Sequence, residues 1–168
     1  RSFSQEGEDQ ILERLLDSNN NGFYVDIGAH HPIKFSNTYK FYLKGWRGIN
    51  IDAMPGSMDS FNKLRPRDIN LEVPVSSKRE KLLYHIFNEP ALNTFSKSEA
   101  TKKNGLRDYK IIETKELMTE TLSDILIKHI DINQKIDFMT IDVEGLDLDV
   151  LISNNWDVFK PKFILVEE

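Results

Sequence analysis

The sequence predicts an α/β fold with a doubly wound, mostly parallel sheet. Three observations predict it. Short apolar runs alternate with helical periodicities along nearly the whole chain, the order that yields a parallel sheet with right-handed crossovers. The runs lack strict polar alternation, as strands covered on both faces do. Several end on an acid, which sets polar groups along the sheet edge where α/β proteins bind ligands.

Residues 5–16 read as the first helix. Ser4 is its N-cap, Glu6, Glu8 and Asp9 oppose the positive helix end, and Ile11, Leu12, Leu15 and Leu16 form an apolar stripe. Asn19, Asn20, Asn21 and Gly22 end it. Residues 23–27 form the first strand, with Asp26 at its carboxyl end and Gly28 in the turn beyond. A helix over 35–43 follows, stopped by Gly45, then a strand over 47–51 ending at Asp52. Pro55-Gly56 turns into a helix through Phe61 and Leu64, and 69–75 is the third strand. The middle is less regular. Residues 82–87 and 110–117 read as two strands of an antiparallel insertion spanning about 81–118, and the polar stretch 89–104 reads as a surface loop with one helical turn. Thr121 caps a helix carrying Leu122, Ile125, Leu126 and Ile130. Residues 136–141 make a strand ending at Asp142, 146–152 a short helix, and 163–166 a last strand ending at Glu167. Residues 1–168 read as one domain, without repeat or low-complexity linker.

With 168 residues the chain is long enough for one core. The net charge is −5, from 27 acids against 22 bases, and there is no basic cluster, which argues against nucleic acid as the main partner. The absence of cysteine excludes disulfides and thiolate metal sites and fits a reducing, cytoplasmic location. No apolar run approaches membrane-spanning length, and no signal peptide is visible. The first residue is Arg rather than Met, as in a fragment or a processed chain. Nothing in the sequence speaks to oligomeric state.

The segment Gly22 to Pro32 carries the chemistry. An ionised Asp26 accepts hydrogen bonds from a hydroxyl, amine or cation, and Gly28, lacking a Cβ, lets a ligand approach the backbone. Asp52 lies 24 residues after Gly28, the spacing at which an acid meets a ribose hydroxyl. The turn has one glycine, not Gly-x-Gly-x-x-Gly, and His30, His31 and Pro32 fill it. A pyrophosphate needs close backbone approach at several points. A nucleoside cofactor without phosphates, S-adenosylmethionine, therefore fits better than a dinucleotide.

The blocks Ser4-Gln5-Glu6-Gly7-Glu8-Asp9, Val25-Asp26-Ile27-Gly28-Ala29-His30-His31-Pro32, Ser36-Asn37-Thr38, Gly45 to Asp52, Asp137 to Gly145 and Pro161 to Glu167 together resemble the FkbM-type methyltransferases, in order and over nearly the whole chain. The resemblance implies a Rossmann-like class I fold, S-adenosylmethionine as cofactor, and methyl transfer to a hydroxyl of a sugar, glycan or natural product. It brings Gln5 and Glu8 over the cofactor and a residue after the third strand, Ser76 or Ser77, against adenine. Candidate cofactor residues are thus Gln5, Glu8, Asp26, Gly28, Ala29, Asp52, Ala53, Ser76 and Asp142. Two departures stand out. The acid after the second strand is Asp52 where such enzymes often have Glu, and the chain stops at the fifth parallel strand, so a C-terminal antiparallel hairpin is expected to be missing.

Alkylating an alcohol requires in-line positioning and removal of its proton. The candidate catalytic residues are His30, His31, Asp142 and Glu144. The histidines border the crevice and titrate in the right range, or else pack and solvate the turn. Asp142 and Glu144 share a side by alternation. Contact with substrate or cofactor ranks first for them, general base second, and binding of Mg²⁺ third. Asn37 and Thr38 line an acceptor pocket or start a helix, and Trp46 belongs to the core. The competing readings are a catalytically silent nucleoside-binding module of a larger glycan-assembly protein and a nicotinamide-dependent oxidoreductase. The single-glycine turn disfavours the latter.

Overall fold

The structure, a computed structural model, describes residues 2–16, 21–143 and 145–166. Glu144, Glu167, Asn19 and Asn20 lie outside the described residues. The elements are α1 (Glu8–Leu15), β1 (Phe23–Ile27), α2 (Tyr39–Leu43), β2 (Arg47–Asp52), α3 (Met58–Leu64), β3 (Ile69–Glu72), β4 (Lys81–Phe87), a 3₁₀ turn (Pro90–Leu92), α4 (Lys97–Lys103), β5 (Ile111–Met118), α5 (Leu122–His129), β6 (Phe138–Ile141), α6 (Asp147–Ser153) and β7 (Phe163–Val166).

Five strands form a parallel sheet in the order β3-β2-β1-β6-β7, and β4 and β5 pair antiparallel beside it. This is the Rossmann-like arrangement that the strand–helix alternation predicts. The sheet is covered on both faces. On one, Val25, Ile27, Ile49, Ile51, Met139 and Ile141 pack with Leu122, Ile125 and Leu126 of α5 and Val150 of α6. On the other, Tyr24 and Phe138 pack with Leu12, Phe41, Tyr42 and Trp46. Each such side chain, fully buried, contributes about 1.5–3 kcal/mol. Trp46, 2% exposed, sits in this core against Phe41 and Phe138.

Three element boundaries differ from expectation, each for a local reason. The first helix starts at Glu8, not residue 5, because Asp9 is buried and folds the preceding residues back. Its carboxylate accepts from Ser2 Oγ, the Phe3 N–H and Ser4 Oγ, while Ser4 Oγ accepts the Asp9 N–H at 3.2 Å. The stripe is also narrower than expected: Leu12 and Leu16 are buried, Ile11 and Leu15 exposed. The second helix loses residues 35–38 because Phe35 takes a left-handed backbone (φ 56) that no α-helix accommodates. The third strand ends at Glu72. Beyond it Val75 bridges Glu120 instead.

The stretch between β4 and β5 is not a surface loop. Residues 97–103 form α4, capped by Ser96 Oγ on the Glu99 N–H. Thr94 is fully buried and joined to His85 of β4 by two backbone bonds of 2.9 and 3.1 Å.

Candidate active site

Strand order reverses beside β1, where the chain leaves the β1-β2-β3 side and enters β6 on the other. Ligand crevices of open α/β sheets lie at this switch point, outside the carboxyl strand ends. A cavity of about 600 Å³ opens there, within the range of small-molecule sites. Its walls come from Ile27, Gly28 and His30 after β1, residues 51–54 around the end of β2, and residues 140–143 around the end of β6. Val73, Pro74 and Val75 after β3, Gln5 and Glu8 near α1, and Leu165 and Val166 of β7 complete the rim. The β4–β5 side supplies Tyr84, Asn93 and Phe95.

Gly28 is required by packing within the chain. Its φ is +82, and a Cβ there would stand 1.7 Å from the Asp142 carbonyl oxygen. The glycine lets the turn after β1 cross the end of β6, whose Asp142 N–H binds the Ile27 carbonyl at 2.9 Å. Close approach of a ligand, the reason the sequence suggests, is not what this glycine's missing Cβ accommodates.

Asp52 lines the cavity with its carboxylate fixed by two backbone donors. The His30 N–H reaches Oδ2 at 2.9 Å and the Met54 N–H reaches Oδ1 at 2.8 Å. Burial raises its pKa, opposed by the Met54 and His30 amides. His30 adopts a left-handed backbone (φ 52) to make its bond, a conformation histidine accepts more readily than most residues. Each oxygen is held by one amide, and a carboxylate oxygen has a second lone pair with which to accept a ligand hydroxyl.

Of the other candidate cofactor residues, Gln5, Glu8, Ala53 and Asp142 also line the cavity. Asp26, Ala29 and Ser76 do not. Asp26 registers with Asn50, two residues short of Asp52, and so sits deeper under the α2 face. It is 6% exposed and accepts from Thr38 Oγ1 at 2.8 Å. Thr38 Oγ1 in turn accepts from fully buried Arg65, which binds Asp68 at 2.8 Å and Tyr24 at 2.8 Å. Burial raises the Asp26 pKa to about 6, with the Arg65 charge the chief opposing influence. Ala29 packs on Met58 and Phe61. Ser76 is buried with its N–H on the Glu120 carbonyl at 3.0 Å.

The histidines separate in the same way. His30 lines the cavity. His31 does not: its Nδ1 accepts the Ile33 and Lys34 N–H groups, both at 3.0 Å. That bonding leaves the proton on Nε2, and burial, then neighbouring His30 and Lys34, lower its pKa. Asp142 stands at the cavity, exposed, after β6. Its expected partner Glu144 is outside the described residues. Among the described residues no cluster of three or more acids and histidines is poised for a metal.

Sequence reading undervalued the polar and aromatic wall. Asn37 donates to Thr140 Oγ1 at 3.1 Å, but its Oδ1 is buried without a partner. Asn93 is buried with an unpartnered Nδ2. Tyr84 and Phe95 pack with ring centroids 4.5 Å apart. In β4, Leu82, Tyr84 and Ile86 share the apolar face opposite Lys81, Leu83 and His85, so the sequence marks Tyr84 as inward-facing but not what it faces.

Fold and site together define a Rossmann-like α/β protein with a small-molecule crevice at the switch point of its sheet. Residues 26–168 match the Methyltransferase FkbM domain, and the chain belongs to that family of methyltransferases. No curated protein and no solved structure gives a significant match. No helix among the described residues is long and apolar enough to cross a membrane.

Proposed function

We propose that the chain is an S-adenosylmethionine-dependent O-methyltransferase acting on a hydroxyl of a sugar, glycan or natural product, built as one domain with an antiparallel insertion at about 81–118 and working in the cytoplasm. The observation that carries this reading is Asp52, a carboxylate clamped by two backbone amides in the wall of the switch-point cavity. Two unpartnered buried amide groups in the same wall, Asn37 Oδ1 and Asn93 Nδ2, fit a ligand rich in both donors and acceptors.

S-adenosylmethionine supplies an electrophilic methyl group on a sulfonium. The chain's residues do the rest. Asp52 accepts the ribose hydroxyls. Asp142, with Gln5 and Glu8 across the cavity, takes the polar amino-acid end or the acceptor. His30, the histidine that lines the cavity among the described residues, removes the proton of the acceptor hydroxyl as it attacks. Apolar Val73, Val75, Leu146 and Leu165 keep water from the reacting centre.

Calorimetry with S-adenosylmethionine, S-adenosylhomocysteine and NAD tests the reading. Both adenosyl compounds are expected to bind and NAD is not. Binding of NAD alone would overturn it. Binding without turnover against a panel of sugar hydroxyls would favour a silent nucleoside-binding module.

A further inference from the structure

Ser76, one of the two serines expected against the cofactor's base, is buried and does not line the cavity, whereas the amide of Asn93 does. Tyr84, Asn93 and Phe95 line the same cavity as Asp52, and the Asp52 charge, after burial, is the next influence raising the Tyr84 pKa. This wall is the aromatic part of the cavity that holds Asp52.

Asn93 is 6% exposed. Its Oδ1 accepts the Phe87 N–H at 2.8 Å, which fixes the amide's orientation, because an N–H cannot bond an NH₂ in this sense. Nδ2 is left with no hydrogen-bond partner among the described residues. Asn93 favours the ionised form of the Tyr84 hydroxyl, but Nδ2 and that hydroxyl are not in hydrogen-bond geometry. A buried donor without an acceptor is costly, and a ligand acceptor would remove the cost. The flanking surface is aromatic, with the Tyr84 and Phe95 rings 4.5 Å apart at 32°. The wall is held rigidly. Thr94 is paired to His85, and Gly145 lies so close to Ser96 that a Cβ would sit 3.3 Å from the Ser96 Cβ.

Building on the cofactor reading above, we propose that Asn93 is a specificity-determining residue that donates to an unprotonated ring nitrogen of the cofactor's purine, whose face lies along Tyr84 and Phe95. A flat heteroaromatic ring satisfies both features at once: its face covers the apolar wall and its edge meets the amide.

The test is titration of the unaltered chain with S-adenosylhomocysteine and its 1-deaza, 3-deaza and 7-deaza purine forms, each lacking one acceptor nitrogen. One of the three is expected to bind about tenfold more weakly than the parent and the others within about twofold. Asn93→Asp keeps an acceptor for the Phe87 N–H and removes the donor. In it the gap between the parent and that deaza form should vanish. Phe95→Leu should weaken all four ligands alike. Equal binding of the four to the unaltered chain would overturn the proposal, and so would a deaza penalty that survives in Asn93→Asp. If S-adenosylhomocysteine itself fails to bind, the cofactor reading falls as well, which distinguishes the two failures.

Discussion

Asp26 and Asp52 end neighbouring parallel strands, yet they do opposite work. Asp26 closes a buried relay through Thr38 to Arg65, Asp68 and Tyr24. Asp52 stands in the cavity wall, fixed by the His30 and Met54 backbone amides. The register accounts for it: Asp26 pairs with Asn50, so Asp52 lies two residues further along, about 6–7 Å at strand rise. That step separates an acid under a helix from an acid at the sheet edge. Residue type and position near a strand end do not distinguish a ligand-facing carboxylate. Depth and the source of its hydrogen bonds do.

The largest effect expected from this contrast is at Arg65. Arg65→Met would leave Asp26 and Asp68 buried without their cation, and breaking a buried pair in this way costs about 3–5 kcal/mol. Urea unfolding should show that loss, while S-adenosylhomocysteine affinity of the folded fraction stays within about twofold. A stability change under about 1 kcal/mol would mean that the relay is not what holds this face.

Asp26 itself gives a signed pH effect. Its folded pKa of about 6 lies above the ordinary aspartate value of about 3.9, so the folded chain binds the extra proton between those values. Stability from this group therefore falls as pH rises from about 4 to about 6. Asp26→Asn keeps an acceptor for Thr38 and removes the titration. Its stability relative to wild type should improve by about 2 kcal/mol between pH 4 and pH 7. A difference independent of pH would sink the assignment.

At the other acid the effect moves from stability to binding. Asp52→Ala should weaken S-adenosylhomocysteine by about 10- to 100-fold, the value of a hydrogen bond to a charged group, whereas Asp26→Asn should not. Equal losses in the two variants would erase the contrast.

How much of this was legible in the sequence follows from the same physics. The alternation of apolar runs and helical spacing gave the sheet, since burial on both faces demands that pattern. The blocks around Gly28, Asp52 and Asp142 gave the edge where the cavity lies. What the sequence hides is register. It does not show that Asp26 falls one layer deeper, that Val75 leaves the sheet for Glu120, or that Asn93 is pinned by Phe87. Those depend on contacts across 6 to 45 residues. Gly28 shows the reverse failure: the residue was correctly marked as special, but its neighbour is the Asp142 carbonyl.

The two adjacent histidines repeat the contrast at smaller scale. His31 is engaged by the Ile33 and Lys34 amides, so His31→Ala should cost about 1 kcal/mol of stability. Because its pKa is lowered on folding, that contribution is present above the ordinary histidine value of about 6.5 and is lost as pH falls through the folded value. The stability gap between wild type and His31→Ala should therefore close toward acid pH. Turnover should keep its pH profile in this variant. On the proposed role of His30 as the base, His30→Ala should instead lower turnover by about 100-fold or more. If His31→Ala causes that loss and His30→Ala does not, the base has been assigned to the wrong histidine, and the exchange of roles would be visible in the two turnover rates side by side.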